Sequence, residues 1–375
     1  MKRWGLVGLV LGCNLLACNL LGCNLPEVQQ AGAHVQIAAD PGLSLCGDGL
    51  GHMDRFVELL AGELGREAPT GRDRITYYLL RDGDFRERTI CVTEREGCAV
   101  GGDVFMTFGP ADHELVHALT WADGVSAAFL LEGLAHAHEG LRVDHEYADA
   151  EIGSDMAIAD AIAARKQGWL PGEQYPLAGA FTAFLLERFG GPAYMRVYRR
   201  LQFADGAGLV SRALEAELGA SLAELAEEFD ATRRACPPLA FKRKLIECSA
   251  PELAWDGERL AAFRTLACAQ DDVVGPFNAD TLVVHHTLVV PTDATYTVTA
   301  VGDEDGVDGG VANAVDLVRC GGCEGFASAH AVAGGEPATV LLTAGTYALR
   351  LRGPASAATG VGVRVERVGP PATWP

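Results

Sequence analysis

Lysine is scarce in this chain: 4 of 375 residues, against 26 arginines, an excess that reflects genome composition rather than function. Positive charge as a whole is thin, with 30 Lys and Arg facing 50 Asp and Glu and a net charge of −20. Such a surface repels nucleic acid, and no basic stripe or stacking-aromatic pattern offsets it, aromatics being only 7% of the chain. A second paired-cysteine motif is also missing. "CGGC" at 320–323 therefore has no other half with which to build a zinc knuckle, and reads as disulfide chemistry. No clean membrane span is present either, because small residues, Asn and Pro26 interrupt the N-terminal apolar run at barely sufficient length.

What is present is apolar material, 49% of the residues, over a length that suits two domains. The first residues, "MKRWGLVGLVLGCNLLACNLLGCNLPE", have a basic tip (Lys2, Arg3) followed by an apolar run, the pattern of a secretory signal. Within it "GCNLL-ACNLL-GCNLP" repeats a small residue before cysteine after aliphatics. This resembles the lipobox of bacterial lipoproteins. The resemblance implies lipidation at Cys18 or Cys23, residues 1–23 as the signal and an outer-membrane or cell-surface protein. Cleavage after "AGA" (31–33) and free secretion is the alternative.

Eight cysteines remain beyond the signal: Cys46, Cys91, Cys98, Cys236, Cys248, Cys268, Cys320 and Cys323. An even number in an exported chain points to disulfides. The nearest neighbours, Cys91 with Cys98 and Cys320 with Cys323, are the expected local pairs; sequence leaves the other pairings open.

Residues 24–45 read as a tether. Helical spacing in "HMDRFVELLAGELG", β-branched and aromatic content in "RITYYLL" and "DVFMTF", and helical runs at 111–122 and 127–140 follow. A long apolar helix, "LAGAFTAFLLERFG", stops at Gly190. "AYMRVYRRLQ" and "SLAELAEEFDATRRA" are two more, the second opened by a Ser221/Glu224 capping box. "CPP" at 236–238 ends the helical pattern, and 237–250 reads as a linker. From 251 to 375 alternating runs such as "TLVVHHTLVV" and "TYALRLR", separated by Gly, Asp and Pro turns, predict an antiparallel β-sandwich. The fold class expected is α+β: a front domain over 46–236 and a sandwich behind it that the front domain does not need for chemistry.

"ADHELVHALT" (111–120) carries HExxH. From the frequencies of 10 histidines and 26 glutamates over 375 positions, chance supplies about 0.02 such motifs. Residues i and i+4 share one helix face, so His113 and His117 can point at one metal ion. Zinc takes three protein ligands in a catalytic site and leaves the fourth position for water, beside which Glu114 would act as general base. Glu132, in "FLLEGLAHAHEG", lies 15 residues after His117, within reach of a helical hairpin.

These motifs resemble the gluzincin metallopeptidases of the peptidase-MA-like group, in which HExxH is followed by an EGLA-type segment. "YPLAGAFTAFLLERFGGPAYMRVYRRL" and "SLAELAEEF" resemble two further helices of that group, so the likeness covers residues 46–236. It implies zinc held by His113, His117 and Glu132, Glu114 as base and then proton donor, and "DVFMTF" as the edge strand that holds an extended peptide. It also puts Tyr175 where a phenol could stabilise an oxyanion, with plain packing as the alternative. His136 reads as a residue supporting or walling the site, and His138 and His145 as solvent-exposed. The Trp and Pro that usually precede the third-ligand segment are replaced by "SAAFLLEG". The sandwich resembles the pre-peptidase C-terminal type of domain, on "HTLVVPTDATYTVTAV" and "LLTAGTYALRLRG". "DEDGVDGG", with Asp303, Asp305 and Asp308, is either a calcium loop or a solvated turn.

The expected activity is hydrolysis of peptide bonds by a monomeric zinc endopeptidase. No "GxMEN"-like anchor for a substrate amine appears, which disfavours an aminopeptidase. Two other readings remain: an inert display or binding lipoprotein on a peptidase scaffold, and a zinc amidase acting on a cell-wall cross-link.

Overall fold

The computed structural model describes residues 25–89, 91, 97–141, 156–164, 170–278, 280–303 and 312–370. The lipidation candidates Cys18 and Cys23, together with His145, Asp305 and Asp308, lie outside the described residues. Asp303 is described, and its carboxylate accepts the Gly360 N–H at 2.9 Å. The class is α+β, with helices and three sheets.

The first sheet runs in the order β1 (Gln30–Ala31), β2 (Val35–Ala39), β3 (Ile75–Leu79), β5 (Asp103–Met106), β4 (Gly97–Val100). Strands β2, β3 and β5 are parallel, and β1 and β4 flank them antiparallel. Two expectations are corrected here. Residues 24–45 are no simple tether, because "VQIAA" within them is a largely buried strand beside β3. "DVFMTF" is not the edge: β5 lies between β3 and β4, and β4 is the outermost described strand on that side. The cause is a tight hairpin. Gly101 and Gly102 both have positive φ, +68° and +89°, as a two-residue turn between right-twisted strands requires. The Gly-Gly between "CAV" and "DVF" was the sequence signal for it. The expected Cys91–Cys98 disulfide is present and ties the start of this hairpin.

The α-helices among the described residues are α1 (Gly49–Glu63), α2 (Asp82–Arg88), α3 (Asp112–Thr120), α4 (Ala128–His138), α5 (Ile158–Ala163), α6 (Tyr175–Phe189), α7 (Gly191–Arg200), α8 (Ala207–Leu218) and α9 (Leu222–Ala235). The capping box at Ser221 forms in full, and Gly190 ends α6 at φ +79°. Helices α4 and α6 pack backbone against backbone. A Cβ on Gly133 would lie 2.6 Å from the Ala178 carbonyl oxygen, and one on Gly179 would lie 2.6 Å from His136 Nδ1. Only hydrogen at these two positions permits the approach.

Behind the helices lie β6 (Arg259–Leu266), β7 (Val274–Phe277), β8 (Thr281–Val290), β9 (Ala294–Gly302), β10 (Ala314–Arg319), β11 (Ser328–Val332), β12 (Ala338–Leu342), β13 (Gly345–Pro354) and β14 (Thr359–Gly369). They form two antiparallel sheets, β11-β10-β13-β8-β7 and β12-β9-β14-β6, which enclose their own core of Leu282, Val284, Tyr296, Val298, Leu349, Leu351, Val361 and Val363 among others. The other face of the first of these sheets turns to the helices. Across it runs a row in register, His330, Asp316, Arg350 and His285, contributed by β11 (Ser328–Val332), β10 (Ala314–Arg319), β13 (Gly345–Pro354) and β8 (Thr281–Val290). Buried Asp316 accepts from Arg350 Nε at 2.9 Å and pairs with Arg352 and His330.

The linker expected at 237–250 is packed structure instead. Leu239, Lys244, Ile246 and Glu247 are buried, and Cys248 is bonded to Cys320. The Cys320–Cys323 pair is likewise corrected: Cys323 bonds Cys236. With Cys46–Cys268, three of the four described disulfides join the helical part to the sandwich. Four disulfides suggest an oxidising, extracytoplasmic setting, and no described helix is long and apolar enough to cross a membrane.

A chain ending at residue 250 would leave Cys46, Cys236 and Cys248 without partners. Loss of even one native disulfide typically costs about 2–5 kcal/mol. Such a chain is therefore expected to lose its cooperative urea transition, and a sharp near-native transition would show that the helical part folds alone.

Candidate metal centre

The site begins with the way α3 is anchored. Asp112 and Glu114 occupy its first turn, where the exposed N–H groups favour negative charge. Buried His52, on α1, approaches the Asp112 carboxylate at 2.9 Å. Burial disfavours the charged form of His52, but Asp112 outweighs it and raises the ring's pKa. On leaving α3 the chain turns at Trp121–Asp123, and Asp123 accepts from Arg199 at 2.7 Å and from Arg66. These contacts set the turn that brings α4 alongside α3, a job done without the Trp and Pro that the resemblance leads one to look for.

The hairpin brings together His113, His117 and Glu132, and among the described residues this is the group able to hold a metal ion. Its three donor atoms form a near-equilateral triangle. His113 Nε2 and His117 Nε2 are 3.2 Å apart, and Glu132 Oε2 lies 3.3 Å from the first and 3.4 Å from the second. Glu132 Oε2 is buried and has no hydrogen-bond partner in the protein. A desolvated carboxylate oxygen without a donor is costly unless something positive sits against it. Burial opposes ionisation of Glu132, yet His117 and His113 hold its carboxyl far below the usual range. Glu114, on the same helix one residue after His113, is partly exposed.

Behind the donors is a second layer. His113 Nδ1 faces Glu139 Oε2 at 3.5 Å. Lys242 Nζ donates to Glu139 Oε1 at 2.7 Å, to His136 Nδ1 at 2.9 Å and to the His136 carbonyl at 3.0 Å. His136 Nε2 then lies 3.3 Å from Glu139 Oε1. Burial raises the Glu139 pKa, but His136 and Lys242 reverse this and hold it well below the carboxylate range. His136 is thus buried in this layer, in contact with both Lys242 and Glu139. His138 corrects the expectation of a solvent-exposed ring: it is fully buried, bonded to the Leu134 carbonyl at 2.9 Å and 3.4 Å from Glu63. The Tyr175 ring lies 6.1 Å from that of His113 and 6.5 Å from that of His136.

Glu139 and Lys242 are the participants that sequence reasoning missed. A signal for the second existed: in a chain with four lysines, "FKRKLIEC" holds two of them. Beside this layer is a small cavity of about 20 Å³, room for roughly one or two waters, lined by His52, Asp112, Glu139, Glu247, His285 and Arg350 among others.

No known family model matches the chain, and no curated protein matches it. Among solved structures, a β-glucosidase from Paenibacillus barengoltzii is 12% identical over 47% of this chain, with a TM-score of 0.16. The match spans 20% of that structure; at this TM-score it carries no argument about fold or activity.

In the metal-free protein burial disfavours protonation of His113, but Glu132 and Glu139 outweigh it and push the pKa up to about 10. These ion pairs stabilise the metal-free fold fully below the ordinary histidine value of 6.5, and the contribution is lost as pH rises through about 10. At pH 7 an incoming ion must displace that proton. Calorimetric titration with Zn²⁺ in buffers of different ionisation enthalpy is expected to report release of about one proton per ion bound. Zero release would show that the ring is neutral beforehand.

Proposed function

We propose that this chain is an exported zinc peptidase that hydrolyses internal peptide bonds, with a front domain of the gluzincin kind. The observation that carries the reading is the donor triangle. Its edges of 3.2, 3.3 and 3.4 Å match the separation of about 3.3 Å between ligands set tetrahedrally at the 2.0–2.1 Å typical of zinc. Two imidazoles and one carboxylate are also a recurrent ligand set of catalytic zinc. Zinc held there would act as a Lewis acid toward water and a substrate carbonyl.

The rest of the chemistry belongs to the chain's own side chains. Glu114, partly exposed and adjacent to His113, takes the proton of the attacking water and passes it to the leaving amine. Tyr175, with its ring against the rings of His113 and His136, donates to the oxyanion. An extended substrate pairs with the outer edge of β4, since β5 is covered on both sides. The N-terminal repeats support anchoring to lipid through Cys18 or Cys23, and the disulfides support an oxidising compartment.

Glu114→Gln tests the assignment. Gln keeps the size and can hydrogen-bond water but cannot accept its proton. The variant is expected to stay folded, bind zinc like wild type and lose about 10²–10⁴-fold in turnover on a mixed peptide library read by mass spectrometry. Equal cutting by both proteins would remove Glu114 from the mechanism. A wild type that binds zinc but cuts no peptide would favour a cell-wall amide or an inert display role.

A further inference from the structure

We infer that Lys242 and Glu139 are positioning residues for the metal centre, and that Lys242 is delivered to it by a segment locked to the sandwich. This rests on the metal reading of His113, His117 and Glu132.

The geometry divides the Glu139 carboxylate into two jobs. Oε1 is fixed by Lys242 at 2.7 Å, with His136 Nε2 at 3.3 Å. Oε2 is left directed at His113 Nδ1, 3.5 Å away, while His113 Nε2 belongs to the donor triangle. A carboxylate on the far nitrogen of a metal-binding histidine fixes the tautomer and the plane of the ring. Unlike a fixed support, Glu139 sits just past the end of α4, where the backbone leaves the helix. Its direction therefore depends on what holds that turn.

Three contacts hold it. Leu141 N–H donates to Glu247 Oε1 at 2.6 Å, the Leu141 carbonyl accepts from Arg350 of the sandwich, and Arg243 N–H donates to the Ala137 carbonyl at 2.8 Å. Lys242, Arg243 and Glu247 all lie in the short stretch between Cys236 and Cys248, both of which are bonded into the sandwich through Cys323 and Cys320. The choice of lysine is also explained. Its ammonium carries three N–H donors, and His136 Nδ1, the His136 carbonyl and Glu139 Oε1 surround it at 2.7–3.0 Å. The broad, planar fork of arginine does not match three acceptors converging on one point. In a chain where arginine is the default cation, the lysine at 242 meets a geometric demand.

The test uses the full chain and measures zinc affinity by competition with a chromogenic chelator. Lys242→Met and Glu139→Gln are each expected to weaken zinc binding about 10–100-fold, with near-UV circular dichroism of the metal-free proteins unchanged. Because Lys242 acts through Glu139, the double variant Glu139→Gln/Lys242→Met should lose no more affinity than Glu139→Gln alone. It also removes both buried charges together, and so replaces the single variants if either fails to fold. Losses that add in the double variant, or wild-type affinity in all three, overturn the inference while leaving the metal reading intact. A wild type that takes up no zinc overturns the metal reading and this inference with it.

Discussion

A helix buried on nearly every side carries Glu132, His136 and His138, with Glu139 at its end, and the interior of a protein does not accept such groups unpaired. Each therefore draws a partner from elsewhere in the chain. Glu132 meets His113 and His117 of α3, His136 and Glu139 meet Lys242, and His138 meets Glu63 of α1. Glu132 differs from the others in kind. The two histidines satisfy it only where Nε2 carries a proton, and rings protonated on Nδ1 alone would leave its inner oxygen facing lone pairs. A metal ion held there would resolve that conflict for all three side chains at once.

The same logic bears on how closely the two halves of the molecule are joined. The glycines at 133 and 179 let α4 and α6 approach so closely that Thr182 and the His136 ring occupy the space a Cβ would take. The end of α4 is then closed by the segment 239–249 and by Arg350 from β13. Arg350 is itself buried and charge-paired with Asp316 within the cross-strand row. A buried arginine that both neutralises an aspartate and binds a backbone carbonyl of the other half is poorly replaced by solvent, because exposure of either partner leaves a desolvated charge behind. Three disulfides fix this interface covalently. The sandwich thus closes the end of the helix that carries Glu132, one of the three side chains able to hold a metal ion.

Sequence by itself determined the pieces whose signals are local. The 3.6 periodicity of "LAGAFTAFLLERFG", the Ser221/Glu224 cap and the alternation in "TLVVHHTLVV" each depend on neighbours within a few residues, and the corresponding helices and strand formed. The His113, His117 and Glu132 set was legible for the same reason, since i, i+4 spacing is a property of one helix and the next helix follows at once. Tertiary structure decided what depends on contacts distant in sequence. Cys323 pairs with Cys236 rather than with its neighbour Cys320, although only two residues separate it from that neighbour. "VQIAA" joins the sheet because β3 lies beside it, which its five residues alone do not disclose. Lys242, 103 residues after Glu139, becomes part of the site because the chain must cross the α4–α6 bundle before it can return to close the end of α4. Charge pairing in the interior acts over space and leaves no periodicity in the sequence.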